Sequence, residues 1–237
     1  MSRRAVILAG GKGTRLRPYT TVLPKPLMPI GDYPILEVIV RQLVQAGFAH
    51  ITMAVNHQAH LIEAFFQDGK KWNVKIDYSL EDIPLGTMGP LKLLKDLPEN
   101  FLVMNGDVLT DLNFEKFFKS HENSNSIFSI SSMERDQLVD FGVLETNSDG
   151  ILTGFKEKPR QSFQVSMGVY MLSYESLSYV PNNTVFGFDN LMLKLLEKGE
   201  FVSVIPHKGY WLDIGRPDDY ERAIDEFESL KKTFLNG

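Results

Sequence analysis

The chain opens on an unbroken apolar run, Ala5-Val6-Ile7-Leu8-Ala9, then turns abruptly to glycines and cations. A short run of this kind predicts a buried strand. Similar runs at 51–55, 74–78 and 101–104 predict three more strands. Between them, apolar residues at helical spacing predict helices over 35–46, ended by Gly47, and over 59–66, 87–95 and 113–121. Strands alternating with helices argue for βαβ units and a mostly parallel sheet. From Ser126 the pattern changes to short strands, at 127–131, 142–145, 151–156 and 165–172, with Asn147-Ser148-Asp149-Gly150 as a hairpin turn. Helices at 188–198 and 217–232, with a strand at 201–205 between them, close the pattern. The fold class is therefore α/β: a Rossmann-like, mostly parallel or mixed central sheet flanked by helices, with a smaller β-rich extension. No repeat, low-complexity segment or linker divides it. Residues 1–237 read as one unit, with 1–125 and 126–237 as its two halves.

Composition narrows this picture by exclusion. The 237 residues suffice for a substantial core, and a net charge of −5 with no basic run makes a poor nucleic-acid partner. The positive charge near the N-terminus is thus local. There is no cysteine, so disulfides, thiolate metal sites and cysteine nucleophiles are excluded. No apolar segment approaches membrane-spanning length, and the N-terminal apolar run is too short for the core of a signal peptide. A cytoplasmic protein without membrane or nucleic-acid partners is expected. A homo-oligomer is left open.

The chemistry begins where the first strand ends. Gly10-Gly11-Lys12-Gly13 puts three glycines in four positions, so the backbone can approach a ligand and turn several N–H groups toward it. Lys12, Arg15, Arg17 and Lys25 add positive charge, and together these features suggest a triphosphate cradle. The P-loop register is not met, and the dinucleotide fingerprint lacks its third glycine. In an open parallel sheet, ligands bind beyond the carboxyl ends of the strands. The fourth strand ends at Asn105-Gly106-Asp107, so Asp107 is a candidate Mg²⁺ ligand or, equally, a turn cap. Asp213, within Tyr210-Trp211-Leu212-Asp213-Ile214-Gly215-Arg216-Pro217, reads on its own as a turn residue. Gly86 and Thr87 leave room for a flat base against backbone, although Thr87 could simply start a helix. His57, His60 and Glu63 lack the zincin spacing and read as exposed polar positions. Phe114, Phe117 and Phe118 have helical spacing and read as core.

Leu8-Ala9-Gly10-Gly11-Lys12-Gly13-Thr14-Arg15-Leu16 followed by Pro24-Lys25-Pro26 resembles the signature of the sugar-1-phosphate nucleotidyltransferases. The resemblance extends from Ala5 to about Tyr220. It implies that Leu8, Ala9, Gly10, Gly11, Gly13, Thr14, Arg15, Gly86, Thr87 and Gly106 bind the nucleotide. It implies further that Asp107 and Asp213 hold Mg²⁺ across the α-phosphate. Glu157-Lys158-Pro159, alone only a solvated turn, looks like the family's sugar-phosphate motif. Ser166-Met167-Gly168 resembles a sugar-side strand, departing from the family's frequent asparagine–alanine–glycine. The sugar phosphate would then meet Glu157, Lys158, Ser166 and Gly168.

The expected reaction is attack of a sugar-1-phosphate oxygen on the α-phosphorus of an NTP, with Arg15, Lys25, Asp107 and Lys158 as the catalytic residues. The nucleophile is already an anion, so positioning and charge neutralisation suffice and no general base is needed. Pro84-Leu85-Gly86-Thr87-Met88-Gly89-Pro90-Leu91 looks most like guanylyltransferases for hexose or heptose 1-phosphates. Thymidylyl- and uridylyltransferases share most of these motifs. A glycosyltransferase would leave the 10–15 loop without a role, and a nucleotide-sensing subunit would not need Arg15, Lys25, Asp107 and Asp213 together.

Overall fold

A computed structural model of the chain describes residues 3–81 and 83–235. Its strands, in chain order, are β1 (Arg3–Leu8), β2 (Pro29–Ile30), β3 (Tyr33–Pro34), β4 (Phe48–Val55), β5 (Lys75–Leu80), β6 (Asn100–Asn105), β7 (Val108–Thr110), β8 (Phe128–Leu138), β9 (Val143–Thr146), β10 (Leu152–Lys156), β11 (Arg160–Ser173), β12 (Val202–His207) and β13 (Trp211–Asp213). The α-helices are α1 (Ile35–Gln45), α2 (Ala59–Phe66), α3 (Phe114–Glu122), α4 (Phe188–Lys198) and α5 (Pro217–Leu235).

Seven strands form the central sheet in the order β12-β8-β11-β6-β1-β4-β5. β5, β4, β1 and β6 pair in parallel, β11 runs against both β6 and β8, and β12 is parallel to β8. Only β11 is reversed, so the sheet is mixed but nearly parallel. The apolar run of β1 is explained by burial on both faces. Ala5 and Ile7 join the larger core cluster, with residues of α1, α3 and α5, while Val6 joins the smaller one, with Leu191 and Leu195 of α4. Phe114, Phe117 and Phe118 are core, Phe118 meeting Phe48 edge to face.

Helix punctuation follows local chemistry. Asn113 caps α3 by accepting from the Lys116 N–H at 2.8 Å. Gly47 follows α1 with φ +83°. At the 147–150 turn, the Asn147 side chain accepts from the N–H groups of Asp149 and Ile151, and Gly150 has φ +78°.

One expectation is corrected, and two features go beyond the sequence reading. Residues 87–95 do not form a full helix; only a 3₁₀ segment, Gly89–Leu93, is present. The N–H groups of Met88 and Gly89 are drawn instead to the Phe186 carbonyl, and Met88 and Leu91 pack into the smaller core. The β-rich extension is continuous with the sheet: β8 and β11 are longer than their apolar stretches and run on past the core edge as exposed strands. The β9–β10 hairpin accompanies these outer halves. Finally, β7 and β13 form an antiparallel ribbon absent from the sequence reading.

Candidate active site

The carboxyl ends of β1, β4 and β6 meet at a cavity of about 440 Å³. The loop after β1 enters it first. Leu8, Ala9, Gly10, Gly11 and Lys12 line it, and Gly11 faces open space. Gly106 leaves β6 so close to β1 that its N–H donates to the Leu8 carbonyl and a Cβ would stand 3.2 Å from that oxygen. Gly13 and Thr14 lie in the return of the loop, outside the cavity lining. Gly13 has φ +59° and its carbonyl accepts from the Thr20 hydroxyl, so it shapes the loop.

The opposite wall carries Glu81, Pro84, Gly86 and Thr87. Gly86 has φ +82°, and a Cβ there would be 2.8 Å from the Phe186 carbonyl oxygen. The Thr87 hydroxyl accepts from the Phe188 N–H at 2.8 Å. Thr87 therefore does start a helix, but it is α4, a hundred residues away in sequence. Glu81 was missed by sequence reasoning. One of its oxygens, Oε2, accepts from the Leu85 N–H at 2.9 Å, while Oε1 lies 3.3 Å from the point a Gly10 Cβ would occupy. Burial pushes the Glu81 carboxyl above the usual range. Its only sequence signal was an acid at the end of a strand directly before Pro84-Leu85-Gly86.

At the floor, the Lys25 ammonium pairs with Asp107 Oδ2. Lys25 is 8% exposed. The other Asp107 oxygen, Oδ1, is buried and has no partner among the described residues. The β7–β13 ribbon brings up the second carboxylate: Asp213 is opposite Val108, and the Ile214 N–H donates to the Asp107 carbonyl at 3.1 Å. The protein surrounding Asp213 and then the Asp107 charge push its carboxyl above the usual range, against the pull of Lys25 and Arg15. The guanidinium nitrogens of Arg15 stand 3.6 Å from where Gly215 would carry a side chain. Arg15 thus belongs to the Asp213 side of the cleft, not to the cavity wall.

A buried carboxylate oxygen without a donor, beside a second carboxylate raised by burial and by its neighbour, is a donor set short of positive charge. It suits a divalent cation with hard oxygen ligands, of which the protein would supply two and a bound phosphate others.

The sugar-side residues divide into two groups. Gly168, with φ +74°, packs on Asn105, which lines the cavity, and its N–H donates to the Ser166 hydroxyl at 3.3 Å. Glu157 and Lys158 are exposed at the β10–β11 turn and lie outside the cavity lining. Lys158, with φ +42°, pairs with Asp140 at 3.1 Å, and Glu157 approaches Gly142.

Residues 4–229 match the model of the family described as "Nucleotidyl transferase". The chain belongs to that family. Among its curated relatives within and around this nucleotidyltransferase family are the UTP–glucose-1-phosphate uridylyltransferase of Synechocystis, 33% identical over 93% of this chain and 62% of that protein. The mannose-1-phosphate guanyltransferase of Schizosaccharomyces pombe is 34% identical over 92% of this chain and 62% of its own length. The chain thus spans about three fifths of these relatives. A crystal structure of HddC from Yersinia pseudotuberculosis complexed with GMP-PN superimposes with a TM-score of 0.72 at 29% identity, covering 95% of this chain and 99% of that one.

Proposed function

We propose that this chain is a sugar-1-phosphate guanylyltransferase, joining GTP and a sugar 1-phosphate into a GDP-sugar with release of pyrophosphate. The reaction class is supported by the family and by the relatives' named activities. The observation that carries the choice of guanine is Glu81. Glu81 lines the cavity, its Oε2 is held by the Leu85 N–H, and its Oε1 lies beside Gly10. Guanine offers N1–H and the N2 amino group side by side, a pair of donors for one carboxylate. Uracil and thymine offer a single N3–H between two carbonyls, which a carboxylate repels. The structural relative complexed with GMP-PN supports the same reading.

In this reaction the Gly10–Gly13 backbone and Arg15 hold the triphosphate and favour departure of pyrophosphate. Lys25 holds Asp107 in place and contributes positive charge toward the α-phosphate, while Lys158 and Glu157 receive the sugar phosphate. An oxygen of the sugar phosphate attacks the α-phosphorus as the bond to pyrophosphate breaks, and no proton needs to move. Asp107 and Asp213 would hold Mg²⁺, which when bound neutralises charge on the phosphates.

The test is Mg²⁺-dependent pyrophosphate release with GTP, UTP and dTTP against a panel of sugar 1-phosphates. Release greatest with GTP is expected. Release greatest with UTP or dTTP would overturn the base, and no release with any pair would overturn the reaction.

A further inference from the structure

Trp211 and Asp213 are two residues apart on β13, so their side chains leave the same face of that strand. The Trp211 ring is fixed, because its indole N–H donates to the Met167 carbonyl at 3.0 Å, between Ser166 and Gly168. Over this ring lies the Arg135 guanidinium, 4.8 Å from the ring centre. Arg135 stands on the outer half of β8, opposite Phe163 of β11. Stacking orients the plane of a guanidinium while leaving its five N–H donors free. Arg135 makes no hydrogen bond or ion pair with any described residue. Its neighbour Glu134 is occupied by the Ser162 hydroxyl.

The location separates Arg135 from the triphosphate machinery. Arg135 does not line the cavity formed by the Gly10–Lys12 loop, Gly86, Thr87 and Asp107. It stands instead where Trp211 meets the Ser166–Gly168 segment, at the sugar end of the cleft. A solvated arginine could cover the ring there without any further role. An unpaired guanidinium seated over an aromatic ring is nevertheless well suited to two coplanar oxygens of one anionic group.

We propose that Arg135 selects a sugar 1-phosphate bearing a second oxyanion, a phosphate or a carboxylate, on the end of the sugar away from the anomeric carbon. The stacked guanidinium binds that group in bidentate fashion, with Trp211 as its platform. This rests on the sugar-1-phosphate reading of the cleft.

The experiment compares kcat/KM for three pairs of acceptors with each NTP: glucose 1,6-bisphosphate against glucose 1-phosphate, mannose 1,6-bisphosphate against mannose 1-phosphate, and glucuronic acid 1-phosphate against glucose 1-phosphate. Each ratio is taken within one enzyme preparation, so a general loss of folded protein cancels. The wild type is expected to prefer at least one acceptor with the second oxyanion by about 10- to 100-fold, the scale of one charge-assisted pair. That preference should be lost in Arg135→Gln and only partly kept in Arg135→Lys, which retains charge without the fork. The phosphate and carboxylate arms distinguish which oxyanion is read. A wild type without such a preference, or an Arg135→Gln variant that keeps it, overturns the assignment. Pyrophosphate release from plain sugar 1-phosphates in that case leaves the reaction standing. Silence with every acceptor removes both.

Discussion

The Asp107 carboxylate accepts from Lys25 with one oxygen and buries the other without a partner. No described residue donates to that second oxygen. Replacing Lys25 with alanine removes the local cation and should lower kcat by about 10²–10³-fold, the scale of one preorganised charge contact. Steady-state kinetics at saturating Mg²⁺ checks this, and near-normal turnover would remove Lys25 from the site.

Asp213→Asn should leave the β7–β13 ribbon paired but weaken metal binding. The Mg²⁺ concentration for half-maximal rate is expected to rise and kcat to fall by about 10²-fold or more. Titration of activity with Mg²⁺, with circular dichroism as a control for folding, gives the answer. An unchanged Mg²⁺ dependence would assign Asp213 to the turn alone.

Glu81→Gln replaces a carboxylate that accepts only with an amide that both donates and accepts. It should lower kcat/KM for GTP by about 10- to 100-fold, the scale of losing a charge-assisted contact, while affecting UTP less. A competition assay with mixed GTP and UTP reads the change directly. Equal losses for both nucleotides would mean that Glu81 only supports the Leu85 turn.

Gly168→Ala should cost about 1–3 kcal/mol, because the residue occupies left-handed backbone. A Cβ there would also stand 2.6 Å from Asn105 Nδ2, so the side chain of Asn105, which lines the cavity, must shift. Thermal unfolding should show the lost stability, and KM for the sugar phosphate should rise. A variant as stable and active as the parent would contradict the packing described.

Much of this was legible because β1, β4 and β6 are buried on both faces, so their composition alone marks them. The glycine loop was legible for a similar reason: few other roles call for three glycines between a strand and four cations. The β7–β13 ribbon was not legible. Each strand has three residues, and the partners are about a hundred positions apart, so no local period records the pairing. Glu81 was hidden because a single acid after a strand is ordinary until the fold sets it beside Gly10. Residues 87–95 misled because the pattern there serves contact with Phe186 and Phe188 rather than a helix of its own.

His121 offers a check of the core at a distance from the cleft. It is buried between the hydroxyls of Ser129 and Ser173, and burial pushes its pKa down to about 4. The unfolded chain, with an ordinary pKa near ~6.5, binds this proton first as pH falls. Stability should therefore be full above about pH 6.5 and decline toward pH 4, by on the order of 2–3 kcal/mol from this group. His121→Gln should flatten that part of the profile in urea melts. An unaltered slope would mean that His121 does not titrate as described.

The most direct measurement follows the α-phosphorus. GTP labelled at that position is incubated with Mg²⁺ and the accepted sugar 1-phosphate, and the products are separated. The label should appear in a nucleotide sugar, in equal amount to unlabelled pyrophosphate, and should disappear from that product when the sugar phosphate is left out. Label recovered as GMP regardless of the sugar phosphate, or retained in GTP, would contradict nucleotidyl transfer in this cleft.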